Sequence, residues 1–319
     1  MKIIDDILLT EEKFGDVYVA IGAFDGIHMG HRELISKAVE KAKENGGKSV
    51  VFTFLNHPLE ITNSIKAPKL ISSLDEKIHI IKSLGVDYLI LQPFTKEFSS
   101  MSPEQFVKTV LKNTLNTKEI YVGFNFSFGK GGRGTVGNLK EFAKVLDIEV
   151  NVIEPVKLEE QIISSTFIRE MLATGNLDIA NRCLGQPFLI IGEVVHGRKL
   201  GRIMGFPTAN LKILNKIYPP FGIYGGRVRI EGEESSWNAV INIGKNPTLK
   251  PDERSIEVHI LDFDRDIYGK RIYVSLMEFL REEKKFNSMD ELKETIKNDV
   301  LNWRAKVKVI EDGDSIKDR

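Results

Sequence analysis

Short apolar runs alternate with helix-patterned segments through the first half of this chain, and the alternation stops near residue 185. Val17–Ile21, Ser49–Phe54, Tyr88–Leu91, Glu119–Val122 and Glu149–Ile153 read as strands. Between them, Glu33–Lys43 repeats Leu34, Ile35, Ala38, Val39 and Ala42 at helical spacing. Asp75–Leu84 puts Ile78, Ile81 and Leu84 on one face, and Asn138–Leu146 is a further helix. Ser102-Pro103 supplies an N-cap and a first-turn proline for a helix running to Leu115. Such alternation predicts an α/β, Rossmann-like parallel sheet that binds ligands at the carboxyl ends of its strands.

Past Leu184-Gly185-Gln186-Pro187 the pattern becomes closely spaced β-like runs: Phe188–Val195, Tyr224–Ile230, Trp237–Ile243, Ser255–Leu261 and Arg271–Phe279. These predict a small antiparallel barrel or sandwich. A last helix is expected from an N-cap at Ser288 to Trp303, with Leu292, Ile296 and Val300 on one face. The expected organisation is 1–184, 185–306 and a polar tail, 307–319, and 319 residues suit two domains better than one core.

Lys+Arg and Asp+Glu both number 45, which argues against binding nucleic acid through a general basic surface. Local clusters can still hold small anions. The one cysteine, Cys183, excludes an intrachain disulfide or a Cys-based zinc site and reads as packing. Asp5, Asp6, Glu11 and Glu12 and the lack of an apolar h-region argue against a signal peptide. No run is long enough to span a membrane. A cytoplasmic protein acting on small molecules is expected, with self-association left open.

Four segments of the first half carry chemistry. Gly22–His31 follows a buried strand and opens a helix, the arrangement that points backbone N–H groups at a phosphate. His28 and His31, at i and i+3, share a face of the first turn and suit charge stabilisation at phosphorus. His57, in Asn56-His57-Pro58, lies at the end of the second strand. Phe124, Phe126 and Phe128 stand beside Lys130 and Arg133 in a glycine-rich loop, where they either stack a flat ligand or belong to the core. Ser164, Ser165, Thr166 and Arg169 precede or open a helix and either cap it or grip a triphosphate there.

In the second half, Val194–Leu211 combines Gly197, Gly201 and Gly205 with Arg198, Lys199 and Arg202. Thr208 and Asn210 offer hard oxygen ligands of the kind Mg²⁺ takes beside nucleotide phosphates. Glu257 and His259 alternate along a strand and share one face, either as a solvated surface or as a site. A carboxylate there can take the proton of an attacking hydroxyl.

The motifs resemble those of bacterial bifunctional riboflavin kinase/FAD synthetases. The first-half matches are G-x-F-D-G-x-H-x-G-H (Gly22–His31), T-F-x-x-H-P (Thr53–Pro58), V-G-x-x-F-x-F-G (Val122–Gly129) and I-S-S-T-x-I-R (Ile163–Arg169). The second-half matches are G-F-P-T-A-N (Gly205–Asn210), N-I-G-x-x-P-T (Asn242–Thr248), E-x-H-x-L-D-F with D-x-Y-G (Glu257–Gly269), and Phe279–Phe286. Order and spacing match across residues 15–305. The resemblance implies riboflavin kinase activity in the barrel and FMN adenylyltransfer in the α/β module, with ATP as co-substrate and Mg²⁺ as cofactor. It implies His28 and His31 as adenylyl-transfer residues and Glu257 as the kinase base. Gly22, Phe24, Asp25, Gly26, Gly30, Ser164, Ser165, Thr166, Arg169, Gly201, Arg202 and Gly205 are expected on ATP phosphates. His57, Asn125, Phe128 and Arg281 are expected on flavin, and Thr208 and Asn210 on the metal. Many family members have Asp where this chain has Asn125. A nucleotidyltransferase for another acceptor would leave the second motif set unexplained, and a flavin-binding regulator without turnover would be free to lose the histidines and Glu257.

Overall fold

The computed structural model describes residues 1–56, 68–197, 201, 204–245 and 254–317. The chain folds as two compact units, Met1–Phe167 and Ile168–Arg319.

In the first unit, six strands form a wholly parallel sheet: β1 (Lys2–Ile4), β2 (Val17–Ile21), β3 (Lys48–Phe54), β4 (Tyr88–Gln92), β5 (Thr117–Gly123) and β6 (Glu149–Ile153). Their order is β1-β4-β3-β2-β5-β6. Every residue of β2 is buried, which is why it reads as a continuous apolar run instead of an alternating one. Helices α1 (Met29–Glu44) and α2 (Leu74–Ser83) come first among the connections. Ser73 and Glu76 form a capping box at the start of α2. The next helix begins with the capped turn Pro103–Gln105 and widens into a π-helix over Phe106–Thr114, the two together making α3. Helix α4 (Val136–Val145) then leads to β6. A short hairpin, β7 (Lys157–Leu158) and β8 (Gln161–Ile162), precedes α5 (Ser165–Ala173). Strand β1 carried no sequence signal because it is three residues long and mostly exposed.

The second unit is a closed six-stranded barrel. Its strands are β9 (Phe188–Val195), β10 (Ala209–Leu211), β11 (Gly222–Ile230), β12 (Ser236–Lys245), β13 (Arg254–Ile260) and β14 (Arg271–Arg281), all antiparallel. They close in the order β10-β13-β12-β11-β14-β9. Helix α6 (Leu177–Leu184) groups with this unit because Asn181 donates to Leu276 O at 3.0 Å and accepts from Phe188 N at 2.8 Å. Buried Cys183 belongs to its packed face. The terminal helix α7 runs over Met289–Lys317, well past Trp303 and through the segment expected to be a polar tail. Its Trp303, fully buried, lies over β11 at Gly225, where any Cβ would overlap the indole.

Candidate active sites

Successive strands run one way from β2 to β4, and β5 restarts on the other side of β2. The carboxyl ends of β2 and β5 are therefore the switch point at which such sheets bind ligands. The loop from Gly22 to His28 fills it. Phe24 (φ 48°) and Ile27 (φ 43°) hold left-handed conformations that L residues rarely adopt, and both are wholly buried. Packing over-determines this strain, as is common at functional loops.

Several residues expected on phosphates build the loop itself. The Gly22 N–H donates to Phe52 O at 3.2 Å in the sheet. The Phe24 ring stands edge-on to His31, with centroids 5.1 Å apart. The Asp25 carboxylate accepts from the backbone N–H groups of Ile71 (2.9 Å) and Ser72 (3.2 Å), so it pins the segment before α2 to the loop. Gly26, at φ 84°, fits a turn where a Cβ would crowd Ile71. Gly30 admits the His28 ring, which a Cβ would meet at 3.3 Å.

His28 is the N-cap of α1, and its Nδ1 accepts from the His31 N–H at 3.4 Å. That bond assigns its proton to Nε2. The two rings stack at 3.7 Å. Burial pushes His28 down to about 4, and burial, His28 and Lys77 together hold His31 well below the usual histidine range. Both rings are thus neutral N–H donors at pH 7. His31 Nδ1 is buried with no partner among the described residues. The N–H groups of Met29 and Gly30 have no acceptor inside the helix, leaving the positive end of α1 directed at the crevice.

A second helix start joins them. Ser164 Oγ caps α5 by accepting from the Phe167 N–H at 3.2 Å, and Ser165 Oγ donates to Asp25 O at 2.9 Å. Thr166 is exposed in the first turn, and Arg169 is half-buried one turn on. Beyond β5, Asn125 is exposed and Phe124 is 48% exposed. Phe128 faces the core. It is buried, stacks on Phe126 at 5.4 Å and packs on Phe106, because paired hydrogen bonds with Gly134 fold its loop inward. His57 lies outside the described residues.

Sequence reasoning missed Lys77. It sits on α2 and donates to Ala23 O at 2.9 Å, alongside Thr53 Oγ1 at 3.0 Å. Burial pushes it down to about 8. Nothing in its helical pattern marks it out, since only the fold brings α2 to the loop.

In the barrel, register does the gathering. Asn210 pairs with Glu257, and Glu257 with Asn242, so three polar side chains lie abreast on β10, β13 and β12. They occupy the face opposite buried Ile256, Val258 and Ile260. Asn242 Oδ1 is buried without a partner among the described residues. An amide set between Ile241 and Ile243 was the available sequence signal for it. The Glu283 carboxylate approaches so close that a Cβ on Gly244 would overlap it, and burial raises its pKa against Lys245 and Arg281. His259, on the same face as Glu257, is bound through Nδ1 to Pro207 O at 2.8 Å.

Gly197 is needed because Asn210 lies where a Cβ would be, and Gly201 because Phe206 O does. A Cβ on Gly201 would stand 3.3 Å from Thr208 Oγ1. Gly205 turns at φ 87°, and Arg202 lies outside the described residues. A cavity of about 370 Å³ opens beside Thr208, walled by Val258, Ile260, Phe263 and Tyr268. The Arg281 guanidinium forms a bidentate pair with Asp299 at 2.8 and 2.7 Å, tying β14 to α7.

A switch-point crevice with two helix starts, on a chain that also builds a six-stranded barrel with a carboxylate–amide row, defines a two-module phosphate-transfer enzyme. Residues 10–167 match the FAD synthetase family model and residues 184–307 the riboflavin kinase model. A bifunctional riboflavin kinase/FMN adenylyltransferase of Bacillus subtilis is 40% identical over 92% of each chain. The Escherichia coli K12 enzyme of that name is 36% identical over 90% of this chain and 91% of its own. A crystal structure titled a macrolide-efflux protein, from Streptococcus pneumoniae, matches with TM-score 0.80 and 34% identity over 95% of this chain and 98% of that one. The chain belongs to the bifunctional riboflavin kinase/FMN adenylyltransferase family. No helix among the described residues is long and apolar enough to cross a membrane.

Proposed function

We propose that the two reactions of this enzyme, riboflavin to FMN and FMN to FAD, run at the two sites described above, each consuming an ATP. The observation that carries this is the separate grouping of phosphate chemistry in each unit: stacked neutral histidines at a helix start in one, and the Asn210–Glu257–Asn242 row in the other.

In the barrel, Glu257 takes the proton of the terminal ribityl hydroxyl. The oxygen attacks the γ-phosphorus, the bond to the β-bridging oxygen breaks, and ADP leaves. Positioning and charge neutralisation carry such transfers. Among the described residues no cluster of His, Cys, Asp or Glu could hold a metal alone. A hydroxyl, an amide oxygen and a carboxylate are nonetheless a hard donor set that suits Mg²⁺ when phosphates complete the shell. Thr208 and Asn210 would hold it, and the ion would neutralise phosphate charge.

In the crevice, a phosphate oxygen of FMN attacks the α-phosphorus of ATP, and pyrophosphate leaves with the electron pair of the bridging bond. His28 Nε2–H, His31 and the N-terminus of α1 donate to oxygens on which charge develops. Thr166, Arg169 and the N-terminus of α5 hold the β- and γ-phosphates. Asn125 and exposed Phe124 meet the flavin. The enzyme works in the cytoplasm on small molecules.

Purified protein given riboflavin, ATP and Mg²⁺, with flavins separated by chromatography, tests the assignment. His31→Ala is expected to stop at FMN. Glu257→Gln is expected to leave riboflavin untouched but convert added FMN to FAD.

A further inference from the structure

We propose that Lys77 is a further phosphate-binding residue of the adenylyl-transfer site, its ammonium held on the Ala23 carbonyl with N–H groups to spare for ATP. The inference rests on the crevice being that site.

Three observations converge on it. The first is place. Ala23 belongs to the loop at the carboxyl end of β2, so a donor 2.9 Å from its oxygen stands at the switch point itself. Lys77 is also near enough to His31 to add to the burial and the His28 ring that disfavour its protonation. The second is valence. The bond to Ala23 uses one of three N–H groups, and Thr53 Oγ1 already shares the same oxygen at 3.0 Å. The third is compensation. The lysine has been drawn far enough out of water for its pKa to fall from 10.5 to about 8. The neighbouring carboxylate, Asp25, accepts from the Ile71 and Ser72 N–H groups. Asp25 already favours the ammonium charge but does not offset the whole cost of burial, and an anion in the crevice would compensate the rest. The anion this crevice receives is a triphosphate.

The charged and titratable groups facing Lys77 are Asp25 from the loop and His31 from α1. His31, already neutral at pH 7, does not change charge near pH 8. A basic limb there in kcat/KM for ATP therefore belongs to the lysine.

The test compares Lys77→Met, Lys77→Gln and Lys77→Arg, with FMN formation in the same preparations as the control for folding and His31→Ala as the control for the site. Lys77→Met is expected to lower kcat/KM for ATP in FAD formation by about 100-fold, the usual effect of losing one transition-state donor, with FMN formation unchanged. Lys77→Arg is expected to recover at least tenfold more than Lys77→Gln and to move the basic limb from near pH 8 to above pH 9. Two results would overturn the proposal. One is FAD formation by Lys77→Met within threefold of the parent. The other is equal recovery by Gln and Arg, which would make the residue a neutral clamp on Ala23. If His31→Ala also leaves FAD formation intact, the crevice itself is misassigned. If only the Lys77 variants are silent, the lysine alone is.

Discussion

The two sites assemble their donors in opposite ways. In the crevice, residues from three remote segments, His28 and His31, Lys77, and Ser165, are drawn to one loop after β2 by helices and a sheet reversal. In the barrel, Asn210, Glu257 and Asn242 are brought abreast simply by strand register. The two crevice histidines are held neutral by burial, whereas Glu257 sits half-buried on a strand face. A topological site can thus withdraw its histidines from water, while a register site leaves its carboxylate within reach of it.

Four outcomes would break or sharpen that contrast. The largest concerns the register. Glu257→Gln keeps shape and pairing but removes the base, and FMN formation is expected to fall about 10²- to 10⁴-fold in a chromatographic assay. A loss under tenfold would mean the row only positions substrate. Next is the support under the barrel. Trp303→Ala leaves a hole over Gly225 and is expected to cost about 3–5 kcal/mol in urea unfolding of that unit.

The third is pH. His28 titrates near 4 when folded and near 6.5 when unfolded, so the unfolded chain binds the proton first as pH falls. His28 alone is expected to contribute a decline of up to about 3 kcal/mol from pH 6.5 to about 4, and His28→Asn to lessen the observed decline, leaving the part that belongs to His31. A parent whose unfolding midpoint is constant over this range would show the ring to be solvated. The smallest effect is expected at Arg281. Breaking its pair with Asp299 by Arg281→Met should cost about 1–3 kcal/mol of stability and leave the KM for riboflavin unchanged. A large rise in that KM would return the residue to the flavin site.

Periodicity made the architecture legible. Val17–Ile21, Glu149–Ile153 and Phe188–Val195 match the sequence-derived bounds, whereas the longer Gly222–Ile230, Ser236–Lys245 and Arg271–Arg281 run two or three residues past theirs. The short strands Lys2–Ile4 and Ala209–Leu211 did not show, being too brief for a period. His28, His31 and Glu257 were visible because their chemistry is rare within their local pattern. Lys77 was not, because an exposed-looking lysine on a helix has no distinguishing neighbour in sequence. Phe128 and Arg281 were read as ligands from the motifs that carry them. Only packing shows that one lies in the core and the other is paired to Asp299.

The most direct measurement is a paired product analysis of His31→Ala and Glu257→Gln, each confirmed folded, with riboflavin or FMN plus ATP and Mg²⁺. Two independent sites predict that His31→Ala accumulates FMN without FAD, and that Glu257→Gln makes FAD only from added FMN. Either folded variant losing both steps, or retaining both, would contradict the account.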